Sequence, residues 1–433
     1  VFSHARSATV QFGFTHLISA AISNAAGVYP TGSSGACERE PCVLQKSFTD
    51  GSRLTVLHLV QPVEGGVARV VTDLVAAQVR AGLRSVVACP PDGPLAAAAR
   101  TAGARVCSWP AERSPGPRLA REVLTAGRLV RACAPDVIHA HSSKAGLAGR
   151  LAVRGRVPTV FQPHAWSFEA LEGRAAGLAR AWERFGARWS DRILCVSESE
   201  RLAGQRAGIT APWSVIHNGI DLGRFRPARE DAAASARASL PLPEAVPPGV
   251  PLVVCVGRLC RQKGQDVLLR AWRTAAVGGA RLVLVGDGPY GDELRRAAPP
   301  GVLFAGASAD VRPWIHAADL LVGPSRWEGM ALAPLEAMAC GTPVLLTDVN
   351  GARESLPPGQ LSHCLVPPDD PPALAAALTA LLGDPTLRAG LGVTAQSRAR
   401  SVFDVTRTAA AVLCLYEELV GMSRPTTRKR TER

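Results

Sequence analysis

Tyrosine and methionine are scarce in this 433-residue chain, three of each, and aromatic residues make up 5% of it. The chain lacks the interleaved aromatic and basic residues of RNA-binding sheets, and it has no zinc-finger spacing. A nucleic-acid partner is therefore not expected, despite a formal charge of +13. Its eleven cysteines are odd in number, and none stand as C-x-x-C. That argues against a disulfide framework and against a structural zinc site. Cys89, Cys107, Cys195 and Cys255 fall in apolar, strand-like runs, where a thiol serves as a small hydrophobe, so a reducing, cytoplasmic setting is expected. No uninterrupted apolar run reaches the roughly 20 residues of a membrane span. No Asp-x-Asp pair is present to hold a divalent metal.

What the chain does have is apolar material, 47% against 20% charged, enough for cores in two or three domains. Residues 12–28 are mildly apolar after Arg6 and faintly imitate a secretory leader, but Gln11, His16, Ser19 and Asn24 spoil the run. With a Gly/Ser-rich tether at 31–35, residues 1–51 are expected to be a disordered extension outside the fold. Thereafter short β-rich runs alternate with helical runs rich in Ala, Leu and Arg. Strands are expected at 54–60, 85–89, 104–109, 137–141, 159–162, 193–196 and 214–217, which makes one domain of 52–226. A Pro- and Ala-rich linker follows at 227–250. A second alternation, with strands at 252–256, 282–285, 302–305, 320–322, 344–347 and 364–366, makes a domain of 251–400. A helix at 401–421 and a basic tail at 422–433 complete the chain. The pattern predicts an α/β protein of two Rossmann-like domains facing a cleft, with ligands at the carboxyl ends of the strands.

Two carboxylates eight positions apart, Glu328 and Glu336, carry the most information. Glu328 ends a loop, Pro334 suits the first turn of the helix that follows, and Gly341 suits its C-terminal cap. The amides around Met330, Ala331 and Leu332 then stand at a positive helix end, which favours a phosphate. Two carboxylates beside that phosphate would accept hydrogen bonds from sugar and ribose hydroxyls. By themselves the two residues also fit a surface Glu and a helix Glu with no shared task.

Three further segments lie at strand ends. Gly65 and Gly66 follow the first strand and allow close backbone approach, as glycines in any tight turn also do. His164 comes just after the strand at 159–162, a position that points into the cleft of such a fold. In 256–264 a strand delivers Arg258 and Lys263 follows in the loop. Two fixed cations there would neutralise charge building on a diphosphate, the role a metal plays elsewhere. The Asn218-Gly219 pair is a turn signal, to which we assign a structural role at the interdomain cleft.

Taken together, these segments resemble the retaining glycosyltransferases of family 4, which have the GT-B fold, and the resemblance runs over roughly residues 53–420. It implies an acceptor-side N-terminal domain, a donor-binding C-terminal domain and a C-terminal helix packing back on the first. The implied reaction moves a sugar from a UDP- or GDP-sugar to an acceptor hydroxyl with retention of configuration, without metal or other cofactor. His164 and Glu328 would be catalytic. Gly65, Gly66, Arg258, Lys263, Met330, Ala331 and Leu332 would bind the donor, and Glu336 its ribose. Two departures stand out: Ala165 where the family has Gly, and Met330-Ala331 where it reads Phe-Gly. Within the family, 164–168 together with the glycine loop most resembles bacterial enzymes of exopolysaccharide or cell-envelope glycan assembly. That implies a lipid-linked glycan acceptor and a place at the inner face of the plasma membrane.

Other readings compete. Gly286-Asp287-Gly288-Pro289-Tyr290-Gly291 matches the dinucleotide fingerprint G-x-G-x-x-G, but it follows the second strand of its half, and Pro289 is expected to begin the helix where free amides are needed. Leu178, Trp182, Phe185 and Trp189 share one helical face, opposite Arg180, Arg184 and Arg188. Such a helix either lies on an anionic membrane surface or packs on its own domain, and packing is the expectation. A nucleotide-sugar epimerase on the same fold and a non-catalytic glycan-assembly scaffold are the alternatives from other classes. The convergent set of His164, Arg258, Lys263, Glu328 and Glu336 speaks against the scaffold.

Overall fold

The computed structural model describes residues 53–228, 236–238, 240–241, 246–247 and 249–423. The expectations for 1–51, for part of 227–250 and for the tail beyond 423 concern residues outside this set.

Apolar runs give two all-parallel sheets. The first holds β1 (Thr55–Val60), β2 (Arg84–Cys89), β3 (Arg105–Ser108), β4 (Val137–His141), β5 (Thr159–Gln162), β6 (Arg192–Cys195) and β7 (Trp213–Val215). Its order is β3-β2-β1-β4-β5-β6-β7. The second holds β8 (Leu252–Val256), β9 (Arg281–Val285), β10 (Val302–Gly306), β11 (Leu320–Gly323), β12 (Val344–Thr347) and β13 (Leu365–Val366), ordered β10-β9-β8-β11-β12-β13. Helices cover both faces, so the central strands β1 and β4 are buried throughout. In each sheet the strand order reverses beside the first strand, at β1/β4 and β8/β11, and a crevice opens beyond such a switch point.

The helix Val405–Ser423 returns to the first sheet. Ala409, Val412, Leu415, Tyr416 and Leu419 pack with Leu54, Val56, Leu74, Val137, Val160 and Leu194 in one core. Burying large apolar side chains contributes about 1.5–3 kcal/mol each, so the first sheet is not complete without this C-terminal helix. The crossing happens at Gly219, where a Cβ would lie 2.5 Å from Val405 Cα. Ile220 N donates to Phe403 O at 2.8 Å, and Val405 N donates back to Ile220 O at 3.0 Å. No side chain fits there.

The amphipathic helix occupies Gly173–Gly186, and Trp189 falls in a following 3₁₀ turn. Trp182 and Phe185 are buried with Leu119 and Leu147, and Trp189 packs on that cluster. The packing alternative is the one realised: these aromatics face the domain, and Arg180, Arg184 and Arg188 are exposed. A different expectation, of where a helix begins, needs correction. The helix after the G-x-G-x-x-G segment starts at Gly291 rather than Pro289. Its glycines serve packing, since a Cβ on Gly286 would lie 2.1 Å from Gly257 O and one on Gly288 2.4 Å from Leu259 O.

No helix among the described residues is long and apolar enough to cross a membrane.

Candidate active site

Lys263 and Glu328 reach one another across the ends of β8 and β11. Lys263 Nζ lies 2.5 Å from Glu328 Oε1, which also accepts from Ser325 Oγ at 2.8 Å. Their two loops are stitched backbone to backbone. Arg326 N donates to Gln262 O at 2.8 Å and Gln262 Nε2 to Trp327 O at 3.0 Å. Gly264, at φ +64°, carries its α-carbon so close that a Cβ would lie 2.0 Å from Pro324 O. Glycine is required there for both the left-handed backbone and the contact.

The helix Leu332–Ala339 begins just beyond, with Ala331 at its N-cap and no side chain satisfying the first turn. Its leading amides have no intrahelical acceptor. Gly66 faces this end: a Cβ on it would touch Leu332 Cδ1 at 3.9 Å. The Met330 side chain is buried, so Met330 can offer a ligand little beyond its backbone, and its carbonyl already accepts from Asn218 Nδ2 at 2.8 Å. Glu336, also buried, approaches Arg69 Nη1 at 3.7 Å from within the same helix. Burial raises its pKa to about 7, with Arg69 and then Arg224 opposing.

Arg258 is partly buried and receives Gln265 Nε2 at its carbonyl, 3.0 Å away. Arg113, from the first half, is held below the usual arginine range by burial and then by the positive charge of Arg258. Cations from both halves therefore converge on the cleft.

His164 sits opposite, at φ +58°, followed by Ala165 at φ +123°. The loop keeps a glycine-like backbone although Ala165 is not glycine. Buried Glu200 holds it, accepting Ala165 N at 2.7 Å through Oε1 and Val196 N at 2.7 Å through Oε2. Burial pushes the Glu200 pKa up to about 8. Gly329, next to Glu328, closes the gap: a Cβ there would come within 3.0 Å of His164 C and of Glu200 Oε1. The His164 loop and the Glu328 loop thus touch, each from its own sheet.

Ten residues were expected in the site. The structure brings Lys263 to Glu328 and Gly66 to Leu332, and it brings His164 beside the residue after Glu328. Gly65, at φ +75°, opens the turn before Gly66. Several partners were missed. Glu354 joins the halves by accepting Glu198 N at 2.7 Å, Ser199 N at 2.8 Å and Ser199 Oγ at 2.6 Å. Asn350 Nδ2 donates to Glu169 Oε1 at 2.7 Å. No sequence pattern announces such pairs, which depend on how the two sheets face.

Behind His164 stands a row of imidazoles: His58 on β1 with His139 and His141 on β4, all fully buried. His-x-His at a strand end was legible as two rings on one face. Among the described residues this trio is the group with nitrogens within 4.8 Å of one another that could hold a metal.

Two parallel α/β sheets closing on a crevice lined with cations, carboxylates and a helix N-terminus define a GT-B protein. Comparisons give the family. The profile of glycosyl transferases group 1 matches residues 250–384, and that of Glycosyltransferase Family 4 matches residues 64–224. The lipopolysaccharide core biosynthesis mannosyltransferase LpcC of Rhizobium leguminosarum bv. viciae is 34% identical over 229 residues, 50% of this chain and 62% of that protein. D-inositol 3-phosphate glycosyltransferase 1 of Catenulispora acidiphila is 31% identical over 340 residues, 71% of this chain and 78% of that protein. Anabaena HepE, solved in complex with UDP-glucose, superposes with a TM-score of 0.72 at 24% identity, over 84% of this chain and all of that one. The chain belongs to glycosyltransferase family 4. Its match spans a little under two thirds of the rhizobial enzyme.

Proposed function

We propose that the protein is a retaining, metal-independent glycosyltransferase that moves a sugar from a nucleotide-diphosphate sugar to an acceptor hydroxyl in bacterial cell-envelope or exopolysaccharide assembly. The observation that carries this reading is the meeting of Lys263 and Glu328 beside the His164 loop, under the helix end that Gly66 faces. Lys263 and Arg258 bind the diphosphate together with the amides near Leu332. Glu336 accepts hydrogen bonds from the ribose, and Glu328 and His164 orient the sugar.

The bond from the anomeric carbon to the diphosphate breaks as the acceptor oxygen bonds to the same face. The acceptor's proton passes to the departing diphosphate oxygen. Fixed cations and amides stabilise the negative charge that develops, as an oxyanion hole does. The exposed arginines of Gly173–Gly186 leave an anionic membrane surface and a lipid-linked acceptor within the proposal.

The test is thermal stability of the full chain with a panel of nucleotide-sugars in EDTA, followed by radiolabelled transfer to a lipid-linked acceptor. A selective shift that Lys263→Ala and Glu336→Ala both remove supports the reading. A folded protein that responds to no nucleotide would overturn it.

A further inference from the structure

His164 does not stand alone in its pocket. His164 Nε2 meets His141 Nδ1 at 3.1 Å, His141 Nε2 meets His58 Nδ1 at 3.0 Å, and His58 Nε2 meets Gln78 Oε1 at 2.9 Å. Ser85 Oγ donates to the same Gln78 oxygen at 2.9 Å. Gln78, Ser85, His58 and His141 are all buried, so bulk water does not complete any of these bonds.

A neutral imidazole carries one proton: one nitrogen donates and the other accepts. Burial favours the neutral form, lowering His58 to about 4 and His141 well below its ordinary value. Direction then propagates from one end. An amide oxygen only accepts, so His58 Nε2 bears the proton and His58 Nδ1 accepts. His141 Nε2 must donate to it, which leaves His141 Nδ1 as an acceptor. His164 Nε2 must in turn donate, and His164 Nδ1 is left with a lone pair.

The Gln78 amide faces a second neighbour on its nitrogen side. Its Nε2 donates to Tyr416 Oη at 3.4 Å, and Tyr416 Oη pairs with His139 Nδ1 at 2.5 Å.

We propose that Gln78, His58 and His141 are positioning residues that lock His164 as its Nε2–H tautomer and present Nδ1 as a hydrogen-bond acceptor to a hydroxyl of the donor sugar. This deepens the glycosyltransferase reading and, for the hydroxyl, rests on it. The chain begins on the helix Gly65–Arg80, whose first residues form the glycine loop. Donor loop and sugar-facing histidine are thereby tied to one element. The trio's spacing also admits a metal, but the facing nitrogens of His58 and His141 are engaged with each other.

The deciding measurement is long-range proton–nitrogen NMR of the full chain labelled at histidine nitrogens, with His164 assigned through His164→Asn. It needs no substrate, so it stands even if no nucleotide-sugar binds. His164 observed as the Nε2–H tautomer supports the proposal. The Nδ1–H tautomer, or one equivalent of tightly bound metal in the purified protein, overturns it.

Kinetics supply a second readout. His141→Leu removes the acceptor and should lower kcat roughly 10- to 100-fold with nucleotide affinity unchanged. His141→Asn, whose amide oxygen takes the place of Nδ1, should recover most of that loss. If His141→Leu folds and keeps both the wild-type kcat and the His164 resonances, the positioning role is refuted.

Discussion

Ala165 donates its amide to Glu200 Oε1 at 2.7 Å while standing at φ +123°, a conformation glycine adopts and alanine resists. The hydrogen bond, a second one from Val196 N to Glu200 Oε2, and the burial of Trp166 hold the loop against that preference. Strain of this kind costs on the order of 1–3 kcal/mol, partly offset for glycine by its freer unfolded chain. Ala165→Gly should therefore stabilise the protein by about 1 kcal/mol, a rise in Tm of about 2 °C. Activity should be retained. A fall in Tm would show that the methyl group's packing outweighs the strain.

The pairing of Lys263 with Glu328 implies a competition. In the free protein the ammonium is held by the carboxylate at 2.5 Å, and an arriving diphosphate must share or displace it. Glu328→Gln keeps the shape and the Ser325 contact but surrenders the charge. UDP should then bind as tightly or up to roughly tenfold more tightly, while sugar transfer falls roughly 10²- to 10³-fold. Lys263→Ala should do the opposite to UDP binding. Calorimetry with UDP, set beside transfer rates, separates the two, and weaker UDP binding by Glu328→Gln would contradict the competition.

Much of this was legible beforehand. Every strand of both sheets falls within a residue or two of an expected one. Central strands such as β1 and β4 stand out because parallel strands buried on both faces cannot hide among polar residues, whereas the edge strands β3 and β7 are only partly buried. Gly65, Lys263, Glu328 and Glu336 were legible because turns, strand ends and helix starts write themselves locally. The contacts that place them were not. Glu200 sits in a plain helical run, yet it holds a loop 35 residues earlier. Glu354 lies in a four-residue helix and reaches a serine more than 150 residues away. Tyr416 enters the imidazole cluster from the far end of the chain. Such partners are fixed by tertiary packing within each half and between them, which no local pattern encodes.

Glu354 also predicts an acid weakness at the junction of the two halves. Four hydrogen-bonding groups converge on it, including His217 Nε2 at 3.2 Å, and they outweigh the opposing effect of burial. The carboxyl is held down to about 2 from an ordinary 4.5. Its stabilisation is thus present above pH 4.5 and drains away as the pH falls toward 2. After allowance for solvent screening at a partly exposed group, that amounts to about 1–2 kcal/mol. Glu354→Gln should lower stability at pH 7 by this amount and flatten its decline between pH 5 and 3. Denaturant unfolding across that range is the measurement, and parallel curves for both proteins would refute the assignment.

Glu336 titrates the other way. Burial, opposed by Arg69 and Arg224, raises its carboxyl to about 7, so near neutrality the free protein holds it partly protonated. A raised carboxyl stabilises the fold fully below the ordinary 4.5, and that contribution is lost as the pH climbs through 7. Ribose hydroxyls reverse the balance, because the ionised form accepts from both at once. Donor affinity should therefore rise with pH, by at most tenfold per unit, and level off above about 7. Binding at pH 6.5 should expel a proton, visible as a buffer-dependent heat in calorimetry with the nucleotide-sugar that gives the largest thermal shift. A sugar-linked diphosphate does not itself titrate in this range, so the signal belongs to the protein. Glu336→Gln should bind roughly tenfold more weakly and without pH dependence. Proton release that persists in that variant would move the titrating group elsewhere, and Glu336 would lose its place on the ribose.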